Sequence, residues 1–182
     1  HLDVAAQVIV GLYFLNVPVS SAAVYDDCMY AAIESGMQRI ERSKNPFDQK
    51  QWVQWNPLKI KYLKNFAGRL YIGLKSGYWR MFSPDHEGML NLTNEQLPSV
   101  VVGSGALMLY ADGASEGYIL TDRQSEQLPE PTRFQHPIKA PCLSADGTTL
   151  WAALPDGRMS AFKRNADEFI AAGHTFGGFG PQ

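Results

Sequence analysis

The sequence has very few cysteines. Cys28 and Cys142 are the only two among 182 residues, too few for a disulfide scaffold or for a zinc site built from cysteine. A single bridge between them remains open at this point, and two buried free thiols are the favoured interpretation. No cofactor is expected from these residues.

The sequence also lacks an excess of one charge and a long apolar run. Its 16 basic side chains face 18 acidic ones, whereas a nucleic-acid-binding surface needs a clustered basic excess. The longest apolar run, residues 8–15, is far shorter than the ~20 residues of a membrane-spanning helix. No basic segment precedes it, so a retained signal peptide is not expected. The chain begins with His1, which we interpret as the start of a processed or shortened chain. The charge balance therefore excludes nucleic acid as a partner, and the short apolar run excludes a membrane-spanning helix.

The chain does contain enough apolar residues for a core, and it contains a repeat. Hydrophobic residues make up 45% and charged residues 19%, and the length predicts one domain, residues 1–182. Four segments each combine an apolar run, a turn with glycine and a second apolar run: residues 28–40, 69–82, 106–119 and 149–162. Their turn glycines are 41, 36 and 44 residues apart: Gly36, Gly77, Gly113 and Gly157. Six residues before each glycine stand Tyr30, Tyr71, Leu107 and Trp151.

Each repeat is predicted to form four antiparallel strands, because further apolar runs and turns flank each hairpin. The repeats cover approximately residues 21–58, 59–97, 98–135 and 136–174. Four strands in about 40 residues are typical of a propeller blade, so we predict an all-β, propeller-like fold of about four blades, or an arc of a larger propeller. A β-sandwich is the alternative. The third repeat is the weakest, since Leu107 stands where the others have an aromatic residue.

The sequence contains no recognisable catalytic motif. Ser160 and Lys163 match S-x-x-K, but a spacing of three places them on opposite faces of the predicted strand. Residues 102–106 hold only a short glycine pair without the third glycine of a dinucleotide loop. The four histidines are scattered and are expected in surface loops, and Asp26 and Asp27 are interpreted as turn residues rather than calcium ligands. We therefore expect neither an enzyme nor a metal site.

Aromatic side chains are the candidates for a contact surface. Trp52, Trp55 and Trp79 lie in two aromatic-rich segments, and exposed tryptophans stack on sugars or anchor protein partners. Core packing between blades is the more common use of such side chains, and it is the competing interpretation of all three. Asn91, Leu92 and Thr93 form a glycosylation sequon, which has a meaning only in a eukaryotic secreted protein.

The hairpin sequences GRLYIGLKSGYWRMF and DGTTLWAALPDGRMSAF resemble bacterial β-propeller repeats, in which a DG-x-LW-x-G-x-x-DG pattern recurs. The order of segments from Phe47 onward is also similar to propeller-containing structural proteins of phage virions and tails, through Phe47-Asp48, Trp52 and residues 70–73. This resemblance implies a non-enzymatic role in subunit contacts. The four-bladed hemopexin-like family is not expected, since its Asp-Ala-Ala motif is missing and the cysteines are not near the two ends.

These observations lead to one main functional hypothesis and one alternative. The first is a structural or assembly protein, a component of a phage virion or tail, that contacts other protein subunits; a homo-oligomer is left open. The alternative is a secreted or periplasmic propeller module that binds glycans or peptides through Trp52, Trp55 or Trp79. An enzyme of the propeller lactonase or hydrolase kind is disfavoured, because no convergent set of carboxylates is visible.

Overall fold

The computed structural model describes residues 2–3, 8–9, 17–82, 88–103, 105–121, 127–134, 136–144, 147–165 and 168–176. These residues form eighteen strands and one short 3-10 turn. No helix within the described ranges is long and apolar enough to cross a membrane. The fold is therefore all-β, as predicted.

Sixteen of the strands form four four-stranded antiparallel sheets, which we call blades 1 to 4. Blade 1 contains β3 (Val19–Tyr25), β4 (Cys28–Ile33), β5 (Gly36–Glu41) and β6 (Val53–Asn56). Blade 2 contains β7 (Ile60–Phe66), β8 (Arg69–Leu74), β9 (Trp79–Phe82) and β10 (Met89–Asn91). Blade 3 contains β11 (Ser99–Val102), β12 (Ala106–Tyr110), β13 (Glu116–Thr121) and β14 (Thr132–Arg133). Blade 4 contains β15 (Lys139–Leu143), β16 (Thr149–Ala153), β17 (Met159–Asn165) and β18 (Glu168–Phe176).

In every blade the strands follow one another in chain order from one edge of the sheet to the other. The predicted four-strand repeat is thereby confirmed. Two further strands, β1 (Leu2–Asp3) and β2 (Val8–Ile9), pair with each other.

The chain divides into two compact units, His1–Lys75 and Ser76–Gln182. The first unit holds blade 1 together with β7 and β8, and the second holds the remaining strands from β9 onward. The single domain proposed from the length stays a prediction.

The turns between strands have the backbone geometry that the sequence predicts. All four turn glycines lie at positive φ, from 81° at Gly113 and Gly157 to 135° at Gly36. Asp26 and Asp27, between β3 and β4, also lie at positive φ, 46° and 51°. Two successive residues of this kind make the type I′ turn that suits a two-residue hairpin. The interpretation of the two aspartates as turn residues is confirmed.

The structure corrects the alignment of the third repeat. Tyr30, Tyr71 and Trp151 are each the third residue of the second strand in their blades, and in blade 3 that place is taken by Met108. Gly113 is the third residue of its five-residue turn, 111–115, whereas Gly157 is the fourth residue of the turn 154–158. Counting six residues back from Gly113 therefore reaches Leu107, one residue before the matching position. The glycines mark the hairpins correctly but not the strand register.

Blades 3 and 4 share one apolar core. Alternate residues of β12, among them Met108 and Tyr110, pack in the same cluster as Leu150 and Ala152 of β16. Phe134 and Phe162 meet in this core edge to face, with ring centroids 5.3 Å apart. Met108 is the third residue of its strand and Leu150 is the second residue of its own. Since successive residues of a strand point to opposite faces of the sheet, the face of blade 3 that packs in this core corresponds to the opposite face of blade 4. Burying a side chain of this size stabilises a fold by about 1.5–3 kcal/mol.

In the first unit, polar side chains join blade 1 to β7. The backbone N–H of Leu63 donates to the Ser21 hydroxyl at 2.9 Å, and the Asn65 side-chain amide donates to the Val24 carbonyl at 2.6 Å. Ser20 donates to the carbonyl of Ile60 at 3.3 Å. These hydrogen bonds give partners to backbone N–H and C=O groups of blade 1 and β7, which would otherwise need water as their partner.

Candidate functional site

The loop between β5 and β6 is ordered by its own hydrogen bonds. The Asp48 carboxylate caps a short 3-10 turn, Gln49–Gln51, by accepting from the Lys50 N–H. It also accepts from the Gln51 side-chain amide at 3.1 Å. The Gln51 side-chain oxygen in turn accepts from the Asn45 N–H at 3.0 Å. These bonds all join residues between Asn45 and Gln51, so the loop is closed on itself by its own side chains.

This loop presents one aromatic side chain to solvent and anchors another. The Phe47 side chain is 58% exposed, and its N–H donates to the Asn45 side-chain oxygen at 3.1 Å. The indole N–H of Trp52 donates to the Pro46 carbonyl at 3.0 Å, so that Trp52 is half-buried against its own loop. Val53, the first residue of β6, is 54% exposed. We call Phe47, Trp52, Val53 and Trp55 the rim patch.

Trp55 connects the rim patch to the buried part of blade 1. Its ring packs against Tyr30, with centroids 5.1 Å apart, and the Arg39 guanidinium lies 5.4 Å from the ring centroid. This cation–π contact and the ring stacking fix the half-buried indole. Burial, followed by the nearby Cys28, raises the pKa of Tyr30 to about 12. Tyr30 therefore stays neutral over the physiological range.

For Trp79 the structure supports the core interpretation and not the contact role. Its side chain is 1% exposed, and its indole N–H donates to the Leu97 carbonyl at 2.7 Å. A fully buried ring is not available to a sugar or a protein partner, so the proposed contact role does not fit Trp79, and the core interpretation applies. Trp52 and Trp55 keep their candidate role. Phe47 and Val53 were not singled out from the sequence as contact residues; an apolar residue beside a turn signal, as in Asn45-Pro46-Phe47, is the feature that could have indicated Phe47.

A second surface feature is a groove in the unit that begins at Ser76. It has a volume of about 460 Å³ and includes Asn94, Glu95, Tyr118 and Gln127 in its lining. The Tyr118 hydroxyl donates to the Glu95 carboxylate, and this bond, with burial and the negative charge of Glu95, raises the pKa of Tyr118 to about 12. No sequence motif indicates this pair, because Glu95 and Tyr118 are 23 residues apart.

The two cysteines are free thiols, which confirms the favoured interpretation. The prediction that both are buried is wrong, since Cys28 is half-buried and Cys142 exposed. Cys142 lies in β15, whose residues alternate in exposure, and its side chain falls on the exposed face.

The remaining candidates do not assemble into a reactive site. Among the described residues, no group of three or more His, Cys, Asp or Glu side chains could hold a metal ion. Ser160 is buried and Lys163 exposed, in agreement with opposite strand faces. His136 is exposed, whereas His1, His86 and the side chain of His174 lie outside the described part of the chain. Residues 177–182 lie outside it too.

The sequon beside β10 is partly engaged in the core. Asn91 is exposed, but Thr93 is buried, and its hydroxyl accepts from the backbone N–H of Trp79 at 2.9 Å. Thr93 thus has a structural function that is independent of any modification of Asn91.

No protein-family model matches the sequence, and no curated protein matches it. Solved structures do match in fold. PorZ from Porphyromonas gingivalis, described as an essential bacterial surface component of the type-IX secretion system, aligns with 97% of this chain and 24% of its own, at a TM-score of 0.69 and 17% identity. The β-propeller domain of Cps50 (Swd1) from Myceliophteria thermophila aligns with 88% of this chain and 59% of its own, at a TM-score of 0.56 and 10% identity.

Hsv2 from Kluyveromyces lactis aligns with 91% of this chain and 55% of its own, at a TM-score of 0.58 and 10% identity. The chain thus spans about a quarter of PorZ and little more than half of the other two. At such identities the comparisons establish the fold alone, and the β-propeller prediction is confirmed. The resemblance to phage virion and tail proteins finds no counterpart among these three structures.

Proposed function

We propose that this chain is a non-enzymatic protein-interaction platform in a multi-subunit assembly, and that the rim patch is its contact surface. The observation that carries the proposal is the exposure of Phe47, 58%, and of Val53, 54%, on a loop and an outer strand that are held by their own hydrogen bonds. Aromatic side chains such as that of Phe47 are enriched at protein interfaces.

The order of the loop favours binding, because a segment that already has its bound conformation loses little entropy on association. Exposed ion pairs lie at the start of the same loop: Lys44 pairs with Glu41 at 3.2 Å and Arg42 with Asp27 at 3.6 Å. An apolar centre with a polar, solvated border is the usual composition of a protein interface. The exposed ion pairs themselves contribute little to stability.

Two settings are proposed for the assembly. One is a phage virion or tail, which follows from the resemblance of the repeats. The other is a bacterial surface or periplasmic assembly, and it is supported by the fold likeness to PorZ over 97% of this chain. Mass spectrometry of purified particles and of envelope fractions distinguishes the two, since the chain is expected in only one of them.

The contact surface is tested by the double variant Phe47→Ser and Val53→Ser. Both side chains are more than half exposed, so folding should be retained, whereas chemical cross-linking to the assembly's other subunits should fall at least about tenfold, as for loss of two interface anchors. The matched control is Val102→Ser, since Val102 is 40% exposed and lies outside the patch. Cross-linking that is equal in the double variant and the wild type overturns the proposal.

Binding of glycans or peptides is the second candidate function. It is favoured by the half-exposed rings of Trp52 and Trp55, since an indole face stacks on a sugar ring. Titration of the intrinsic tryptophan fluorescence with a panel of oligosaccharides and peptides tests it. A signal that stays flat over the panel eliminates this candidate and leaves the platform proposal standing.

A further inference from the structure

The groove beside Tyr118 exists because the outer strand of blade 3 is short. β14 pairs with β13 as far as Thr132, which lies opposite Gly117. The residue next in line to face Tyr118 is Pro131, and proline has no backbone N–H to donate to a neighbouring strand. In the described part of the chain the ladder therefore ends here, and it leaves β13 open at Tyr118.

The lining of this groove, which we call the polar groove, is rich in hydrogen-bonding side chains. Its volume of about 460 Å³ lies within the roughly 300–1,000 Å³ of small-molecule sites. The described side chains that line it include three exposed amides, one carboxylate, one phenol and one apolar chain: Asn91, Asn94, Gln127, Glu95, Tyr118 and Leu128. Each amide offers both a donor and an acceptor. Lysine, arginine and histidine are absent from the described lining.

Two of the lining side chains are held in place by each other. The Tyr118 hydroxyl donates to the Glu95 carboxylate, so the phenolic oxygen and the second carboxylate oxygen keep lone pairs that can accept from a ligand. This bond, together with burial, raises the pKa of Tyr118 to about 12, and the phenol stays protonated at neutral pH. Side chains that are fixed in advance lose little entropy when a ligand binds.

We propose that the polar groove is a binding site for a neutral saccharide. Every sugar hydroxyl is both a donor and an acceptor, which matches the amides of Asn91, Asn94 and Gln127, and the Glu95 carboxylate accepts from further hydroxyls. The Tyr118 ring adds an apolar surface for the C–H groups of a sugar.

Other classes of small ligand match this lining less well. An anion would meet the Glu95 carboxylate without a basic side chain from the described lining to balance it. An ammonium group has only donors, so the amide N–H groups would have no acceptor on it. An apolar ligand would remove water from the amides and the carboxylate without replacing their hydrogen bonds.

The polar groove is separate from the rim patch, and its described lining contains no tryptophan. The inference therefore does not depend on the platform proposal, nor on glycan binding through Trp52 and Trp55. A calorimetric measurement suits this site, because it does not require a tryptophan beside the ligand.

Isothermal titration calorimetry of the 182-residue chain tests the proposal, with glucose, galactose, mannose and N-acetylglucosamine and with a trisaccharide of each as the probes. We expect at least one of them to bind, and the comparison of monosaccharide with trisaccharide shows whether the site takes a single sugar or a longer chain. Because the ligand is uncharged, added salt should leave the dissociation constant unchanged.

Variants of exposed residues then locate the site. Glu95→Gln should raise the dissociation constant at least about tenfold, because a charged acceptor is lost, and Asn94→Ala about three- to tenfold. Gln96→Ala is the matched control: Gln96 is an exposed amide of the same connection but is not part of the described lining, and its loss should leave the constant unchanged.

Three results overturn the proposal. The first is that none of the saccharides binds. The second is a dissociation constant that is the same for wild type, Glu95→Gln and Asn94→Ala. The third is salt-dependent binding of spermidine, titrated in parallel, by a chain that binds no saccharide, since this outcome assigns the groove to a cation.

Discussion

The indole N–H of Trp79 donates a 2.7 Å hydrogen bond to the backbone carbonyl of Leu97, and both residues are buried. The backbone N–H of Trp79 donates in addition to the Thr93 hydroxyl at 2.9 Å. One residue at the start of β9 thus orders the connection that leads from blade 2 to blade 3. A backbone bond from the Leu97 N–H to the Gly77 carbonyl, at 2.8 Å, holds the same connection together with these two side-chain bonds.

Replacing Trp79 by Phe should lower the free energy of unfolding by about 2–4 kcal/mol, because the Leu97 carbonyl stays buried without its donor and the smaller ring leaves a void. Urea unfolding followed by circular dichroism measures the change. Tyr78→Phe is the control, as Tyr78 is 37% exposed, and it should cost less than about 0.5 kcal/mol. Equal stabilities of the two variants would show that the indole bond is unimportant.

The Ser21 hydroxyl should matter more for stability than its small size suggests. It accepts from the Leu63 N–H at 2.9 Å, so Ser21→Ala removes the acceptor of a backbone donor between blade 1 and β7. We expect a loss of about 1–2 kcal/mol in unfolding free energy. Hydrogen exchange at the Leu63 amide gives the local measurement, and an exchange rate that is unchanged in the variant contradicts the assignment.

Gly36 and Gly113 should respond differently to alanine although both lie in hairpin turns. A Cβ at Gly36 would overlap the Asn56 carbonyl and lie 2.8 Å from Pro57, whereas at Gly113 it would meet nothing within 4 Å. Gly113→Ala should therefore cost about 1 kcal/mol, from the positive φ alone, and Gly36→Ala considerably more. Thermal unfolding of both variants measures the difference, and equal midpoints are incompatible with the crowding at Gly36.

Tyr118 should ionise only at strongly alkaline pH. The hydrogen bond from its hydroxyl to Glu95 raises its pKa from 10.0 to about 12. Because the pKa is higher in the folded chain than in the unfolded one, the contribution of this bond to stability is fully present below pH 10 and is lost as the pH rises toward 12. Glu95→Gln should move the pKa of Tyr118 back toward 10, which an ultraviolet titration of tyrosinate measures against Tyr118→Phe. A titration curve that is identical for wild type and Glu95→Gln would contradict the assignment.

Most of the strand order could be predicted from the sequence, because short turns between strands need residues that tolerate positive φ and such residues recur at regular intervals. The register of blade 3 could not, since the position of the glycine varies even between turns of the same length. Gly113 and Gly157 illustrate this, as they lie at different places in turns of equal length. Registers depend on cross-strand packing, which a single glycine does not encode.

The candidate site was predicted only in part. Trp52 and Trp55 were identified from their side-chain type, but the same reasoning also named Trp79 as a contact candidate beside the core interpretation, because residue type alone does not show which face of a strand is buried. The alternation of Trp79 with Met81 in β9, both buried, is the pattern that distinguishes it. The pairing of Glu95 with Tyr118 depends on the packing of separate blades and has no local signature.

The proposal that the rim patch binds other subunits is tested most directly by hydroxyl-radical footprinting, with the isolated chain and its native assembly compared side by side. If the patch is the contact surface, oxidation of Phe47 and Trp52 should fall several-fold in the assembly, whereas exposed Tyr78, at 37%, should be oxidised equally in both samples. Equal oxidation of Phe47 and Trp52 in the isolated chain and in the assembly would contradict the account.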